Sequence, residues 1–387
     1  MYREKAHYAR EKMEKIYDTY ENKDSIKYWH YTSMNAILSI FKSFIDSSDE
    51  KITTINLYAS HNRFLNDSQE YEDGKKCLSD FIEEHNKDGK KEEINTEAST
   101  DANVYIVSFC SDGDLLSQWK WYGGESGISF CFNASKAVYS IYTEKDENDK
   151  EVGPVVKDSF TKPLPVFYDY HGKKDYFDKL ITKILINKFG SLDVSNIDLL
   201  PELFIPFCKN EYFHEEKEHR LVFFDYDDLT CVEGHKTSFN NKYNISSKGV
   251  LKPALDVKVT LDKKGENYAD DSTDELNNST SDQTENECLI SQMIVGPGVN
   301  QHLYFNGLIH IFDRNYFRFQ PDSKIPEELN INDVYEETDD LPIGKLIYIK
   351  DKQYRDDLPT IDYPHLKTAY KCHNGLLIMK SSIPFRG

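Results

Sequence analysis

None of the seven cysteines (Cys77, Cys110, Cys131, Cys208, Cys231, Cys288 and Cys372) stands in a Cys-x-x-Cys pair. That absence argues against a zinc ribbon and against a thioredoxin-type redox site. No His-x-x-x-His spacing occurs either, and no apolar run is long enough to span a bilayer. Positive charge is in short supply: 47 Lys and Arg face 67 Asp and Glu, for a formal net charge of −20. A general grip on phosphate backbone, which comes largely from Lys and Arg, is therefore disfavoured. The N-terminus is charged and reads as helical instead of signal-like, so the thiols are expected to be reduced and the protein cytoplasmic, with no membrane association. Internal repeats are absent.

What is present is length and aromatic mass. The 387 residues, with 26 Tyr and 22 Phe, suffice for one large domain with insertions or two ordinary ones. Helices are expected over 1–21, 69–84, 174–190 and 195–213. Strands are expected at Ile55–Ser60, Val104–Cys110, Gly127–Asn133, Pro165–Tyr170, His219–Tyr226, Val250–Leu261, Met293–Gly296 and Leu346–Lys350. The segments do not alternate strictly, which predicts an α+β fold with a mixed or antiparallel sheet and not a doubly wound one. Three stretches, 85–101, 143–153 and 262–287, are polar and short of core formers, and are expected to be mobile insertions. Strand-like segments flank each of them, so residues 1–387 read as a single domain.

Five polar or aromatic clusters punctuate these elements. Trp29-His30-Tyr31-Thr32-Ser33 leads into a helix whose Met34, Ile37, Leu38 and Phe41 share a face, with Thr32 or Ser33 at its cap. Ala59-Ser60-His61-Asn62-Arg63-Phe64-Leu65-Asn66-Asp67 follows, with Glu70 three residues on; this is a helix start as readily as a site. Val107-Ser108-Phe109-Cys110-Ser111 runs toward Leu116-Ser117-Gln118-Trp119-Lys120-Trp121-Tyr122, whose aromatics are more often core than ligand platform. Gly123-Gly124-Glu125-Ser126-Gly127 makes a turn before a strand. Phe213-His214-Glu215-Glu216-Lys217-Glu218-His219-Arg220 carries the strongest chemical signal, because Glu216, Glu218 and Arg220 share a face in extended chain. The buried-type Leu221-Val222-Phe223-Phe224 follows, so Glu218 and Arg220 stand where a core strand begins. A carboxylate held there by arginine stays ionised and oriented, which suits stabilisation of an oxocarbenium-like centre.

The ordered set H-Y-T-S, F-x-N-D-x-x-E, S-F-C-S, W-x-W-Y-x-x-x-x-G and E-x-E-x-R resembles a bacterial family known only as domain of unknown function 2971. The closing Ser382-Ile383-Pro384-Phe385-Arg386 is similar to that family's tail, and the resemblance runs from about His30 to Arg386. A more distant similarity is to ADP-ribosyltransferases of the diphtheria-toxin and poly(ADP-ribose) polymerase type. It implies a split-sheet fold and NAD as substrate, with no metal. Carried onto this chain, it implies that Glu218 or Glu216 is the catalytic carboxylate, with Arg220 beside it. His30 with Thr32 or Ser33 would bind NAD, and Tyr122 or Trp119 would stack on nicotinamide. Arg63 would hold the pyrophosphate, and Tyr31, Asn66, Asp67 and Ser108 would complete the binding set. The usual Ser/Thr-x-Ser strand is represented at most by Gly127-Ile128-Ser129-Phe130, and the class requires no arginine at position 220.

The expected function is transfer of ADP-ribose from NAD to a macromolecular acceptor, protein or nucleic acid. A cytoplasmic enzyme that modifies a central metabolite fits a toxin or phage-defence effector. Water as acceptor would make the protein an NAD glycohydrolase. A metal-dependent nuclease or hydrolase would use Asp67, Glu70, Glu216 and Glu218 as oxygen ligands. A nucleotide sensor would bind at the same residues without chemistry. The sequence assigns no oligomeric state.

Overall fold

The computed structural model describes residues 2–17, 27–65, 70–86, 102–123, 127–145, 151–153, 159–180, 199–226, 236–239, 241–245, 251–262, 288–314, 334–335, 340–350 and 366–383. The fold is α+β, with mixed, mostly antiparallel sheet. The chain divides into two compact units, each assembled from three separate stretches. The first takes residues 1–26, 57–111 and 138–259; the second takes 27–56, 112–137 and 260–387.

In the first unit, all nine residues of the Ala102–Cys110 strand pair antiparallel with Glu218–Tyr226, placing Ser108 opposite Arg220 and Cys110 opposite Glu218. The short Leu164–Pro165 strand lies on the far side of Glu218–Tyr226. Leu221, Val222, Phe223 and Phe224 are fully buried, as the apolar run predicts. The N-terminal helix, Tyr2–Tyr17, buries Ala6, Ala9 and Met13 at helical spacing. Its Arg10 is also buried, with the guanidinium 4.8 Å from the Phe224 ring centre. The helix expected over 195–213 is broken into Leu200–Phe204 and two 3-10 turns, Ile205–Phe207 and Glu211–Glu216. Pro206 is the reason, since it cannot donate the hydrogen bond that a continuing helix needs. The helix expected over 174–190 starts earlier, at Tyr170, and is described to Leu180. Pro165–Tyr170 is strand only at its first residue; Tyr168 and Asp169 lie in the approach to that helix.

Of the three polar stretches, 87–101 and 263–287 lie outside the described residues. In 143–153, by contrast, parts of two paired strands stand: Tyr142–Lys145 and Glu151–Gly153, with Lys236–Phe239 beside the former.

The second unit holds a mixed sheet in the order Tyr28–Ser33, Gly127–Phe132, Ile290–Val295, Leu377–Lys380, Leu366–Lys371, Leu346–Lys350, Val334–Tyr335. Every residue of Gly127–Phe132 is buried, as befits a strand flanked on both edges. Ile290–Val295 and Leu377–Lys380 run parallel, and the helix Gln301–Phe312 packs on both. Ser33 is the N-cap of the Met34–Ile40 helix in extended conformation but makes no side-chain cap bond. Ile37, Ile40, Phe41 and Phe44 form the buried stripe, while Leu38 is 56% exposed. The expected face was therefore rotated: the apolar row follows i, i+3, i+4 and i+7 from Ile37, which puts Leu38 on its flank.

Candidate functional site

The first unit contains a buried hub of five charged side chains. Arg220 sits two residues into its strand and grips Glu218, Nε to Oε1 and Nη2 to Oε2, both at 2.9 Å. The same Nη2 donates to Glu70, the first residue of the Glu70–Asn86 helix. Nη1 donates to the Pro206 carbonyl at 2.7 Å, an acceptor at the 3-10 turn where the longer helix fails. Lys209 is the second cation: its Nζ lies 2.7 Å from Glu216, 2.9 Å from Glu218 and 3.8 Å from Glu70. Tyr168 completes the arrangement, its hydroxyl accepting from the Glu218 backbone N–H at 2.7 Å.

Glu216 reaches this hub by a route other than strand alternation. It ends the Glu211–Glu216 3-10 turn, and Lys217 after it adopts a left-handed conformation with φ 46°. That kink aims Glu216 and Glu218 at the same ammonium while the strand starts at Glu218. The Lys217 carbonyl is used as well, accepting from the Ser111 N–H at 3.1 Å.

The three carboxylates are not equivalent. Burial opposes charge on Glu218, but Arg220 and then Lys209 outweigh it, aided by a hydrogen bond from Ser108, and its carboxyl is held far below the usual range. Arg220 twice, Lys209 and Ser108 together occupy the lone-pair positions that a carboxylate has to offer. Glu218 is thus ionised and saturated. Glu216 differs: burial pushes its carboxyl up, Lys209 compensates only in part, and its side chain is 12% exposed at the rim. Glu70 is also pushed up, by burial first, with Arg220 opposing. Both cations are held charged against their burial, chiefly by Glu218. With every group ionised, three carboxylates against two cations leave the hub one negative charge in excess.

The other site residues expected from sequence fall elsewhere. Arg63 belongs to the first unit, exposed, with its guanidinium 5.3 Å from the Tyr71 ring centre. Asn66 and Asp67 lie outside the described residues. His30, Tyr31, Thr32, Ser33, Trp119 and Tyr122 all belong to the second unit. There His30 packs on Phe130, ring centres 5.2 Å apart, and Thr32 and Ser33 pair with Ile128 and Gly127. Tyr31 is buried; its hydroxyl donates to the Asp112 carbonyl and accepts from the Leu115 N–H, each at 2.8 Å. Trp119, 3% exposed, donates its indole N–H to Asp114 at 2.9 Å. Its ring lies so close to Gly123, Gly127 and Gly296 that a Cβ on any of them would sit 3.0 Å or less from ring carbons. Tyr122 is half-buried.

Asp114 is the centre of that neighbourhood. Besides Trp119 it accepts from the Ser381 hydroxyl at 2.5 Å and pairs with Lys367 at 3.0 Å. Ser129, inside the Gly127–Phe132 strand, donates to the Gly113 carbonyl at 2.6 Å. Asp112-Gly113-Asp114 is therefore what Tyr31, Trp119, Ser129 and Ser381 are arranged around. Sequence reasoning also missed Lys209 and Tyr168. Neither stands in a recognisable motif, and only the position of Lys209 after the aromatic-rich 204–208 run marks it as a buried lysine.

No group of three or more His, Cys, Asp or Glu side chains suited to a metal ion occurs among the described residues. No helix among them is long and apolar enough to cross a membrane. The chain matches no family model, no curated protein and no solved structure.

Proposed function

We propose that the protein breaks the N-glycosidic bond of NAD and transfers ADP-ribose, as an ADP-ribosyltransferase-like enzyme of split-sheet type. In this reading Glu216 faces substrate and Glu218 positions it. One observation carries the reading: two carboxylates share the Lys209 ammonium, one saturated and ionised, the other at the rim with its carboxyl pushed up. Such division is how one site keeps a fixed charge beside a group that can exchange a proton. As nicotinamide leaves with the bonding electron pair, positive charge grows on the ribose. The excess negative charge of the hub stabilises it, and Glu216 takes the proton of the attacking acceptor hydroxyl or water. The reading takes its chemistry from the first unit alone. The distant resemblance of the sequence to ADP-ribosyltransferases supports NAD as the glycosyl donor.

The saturation of Glu218 favours a second reading, binding of a nucleotide without turnover. Nicotinamide release from NAD, with EDTA present, separates the two. The proposal expects release by the wild-type protein and a loss of about a hundredfold or more in Glu216→Gln, the usual scale for a general acid–base group. NAD binding without release supports the sensor. Absence of both release and binding overturns each reading.

A further inference from the structure

Beside the hub, within the first unit, lies an open cleft of about 330 Å³. One wall is a face of the Glu70–Asn86 helix, where Asp73, Lys76, Cys77 and Asp80 follow one another at i, i+3, i+4 and i+7. The rest of the lining includes Tyr168 and Asn210 and Tyr212 of the turn that follows Lys209. The helix, Tyr168 and the 209–211 segment thus each serve hub and cleft at once.

We propose that this cleft binds a hydroxyl-rich ligand without phosphate, a nucleoside or simple glycoside. The wall has unspent hydrogen-bonding capacity of both signs. Among the described residues Asp73 and Asp80 have no hydrogen-bond or ion-pair partner, leaving carboxylate oxygens to accept. Asn210 commits only its Oδ1, to the Tyr212 N–H, so its amide N–H groups remain to donate. The Tyr168 hydroxyl accepts from Glu218, and its own proton has no acceptor among the described residues. Vicinal hydroxyls, each at once donor and acceptor, satisfy that mixture. Tyr212, 84% exposed at the mouth, offers a flat face to the C–H side of a furanose or pyranose ring.

Other ligand classes fit less well. A phosphate would meet the carboxylates of Asp73, Asp80 and Glu211, while the Lys173 ammonium is already given to the Lys209 carbonyl at 2.8 Å. A cation would meet the ammonium of Lys76, set between Asp73 and Asp80 on the same helix face. An apolar molecule would strip water from all of these groups without replacing their bonds. The inference goes beyond NAD cleavage and does not depend on it.

Saturation-transfer NMR on the full chain tests it, with adenosine and methyl β-D-ribofuranoside as probes and inorganic phosphate and ethylguanidinium as competitors. Asp80 and Tyr212 are exposed, so Asp80→Asn and Tyr212→Ala should fold, which their unfolding temperatures verify. The expected result is transfer to both probes, unaffected by either competitor, with affinity reduced about tenfold or more in Asp80→Asn. Tyr212→Ala should weaken both probes as well. Absence of transfer, competition by phosphate or ethylguanidinium, or indifference to both variants overturns the proposal. Nicotinamide release reports separately on Glu216: adenosine binding without NAD cleavage keeps the cleft and discards the enzyme reading.

Discussion

At the scale of single residues, Arg220 decides whether the hub is an asset or a burden. The residue is 1% exposed, and its guanidinium lies against Glu218, Glu70 and the Pro206 carbonyl. Removing it leaves Glu218, Glu70 and Glu216 sharing the one ammonium of Lys209. Breaking a buried pair from one side typically costs about 3–5 kcal/mol, because the abandoned charge keeps its desolvation penalty. Arg220→Met should therefore lower urea-unfolding stability by about that amount. Adding Glu218→Gln should recover part of the loss, since the orphaned charge is then gone. A loss below about 1 kcal/mol in Arg220→Met would show that water enters the hub freely. The pairing of Glu218 with Arg220 is legible in the sequence, because two-residue spacing at a strand start puts both on one face. Lys209 is not legible, since it precedes Glu216 and Glu218 by seven and nine positions, across a 3-10 turn and the Lys217 kink. Nothing local specifies that return.

Among elements, strands were the readable part. Most apolar segments flanked by polar turns became strands near their expected bounds, because β-branched and aromatic residues pack well on a pleated surface. Less readable was the Gln301–Phe312 helix, whose sequence QHLYFNGLIHIF is apolar on most sides and gives little helical periodicity. The turns carried more than their sequence showed. Lys217 holds a left-handed backbone that glycine adopts freely and a β-branched residue hardly at all. Lys217→Gly should stay within about 1 kcal/mol of wild type, whereas Lys217→Val should cost about 1–2 kcal/mol and displace Glu216. Equal stability of the two variants by urea unfolding would mean that the turn rearranges.

The glycines around Trp119 give an equivalent test in the second unit. A methyl group at Gly296 would lie 2.7 Å from the indole and 3.1 Å from the Gly127 carbonyl. Gly296→Ala should cost about 1–3 kcal/mol through overpacking. Trp119→Phe, by shrinking the ring, should reduce that cost in the double variant. If Gly296→Ala unfolds at the wild-type urea concentration, the indole has room to move. The sequence showed Gly123 and Gly127 only as turn formers and Gly296 as a strand end; that all three lie against one ring is a property of the folded unit.

For the whole molecule, two facts set the behaviour with pH: an excess of acid, −20 over 387 residues, and a hub whose carboxylates are shifted in opposite directions. Each unit is built from three separate stretches of chain; the hub joins Glu70 from one stretch to Lys209 and Arg220 from another, so its stability is that of the folded unit. Glu218, held below its ordinary value, adds stability above that value and loses it as pH falls through the depressed one. Glu216 acts in reverse. Pushed above its ordinary 4.5, it holds a proton in the folded state at pH values where the unfolded chain has released it. The folded state then binds more protons, and stability declines as pH climbs from about 4.5 through the raised value. Glu216→Gln removes this one contribution and leaves the common acidic background unchanged. The variant should therefore gain on wild type across that window, by at most about 1.4 kcal/mol per pH unit, and run parallel to it above. Urea unfolding of both proteins at intervals from pH 4.5 to 8 measures the difference directly. A constant offset over that range would mean that Glu216 titrates as an ordinary surface carboxylate, and the distinction between it and Glu218 would lose its physical basis.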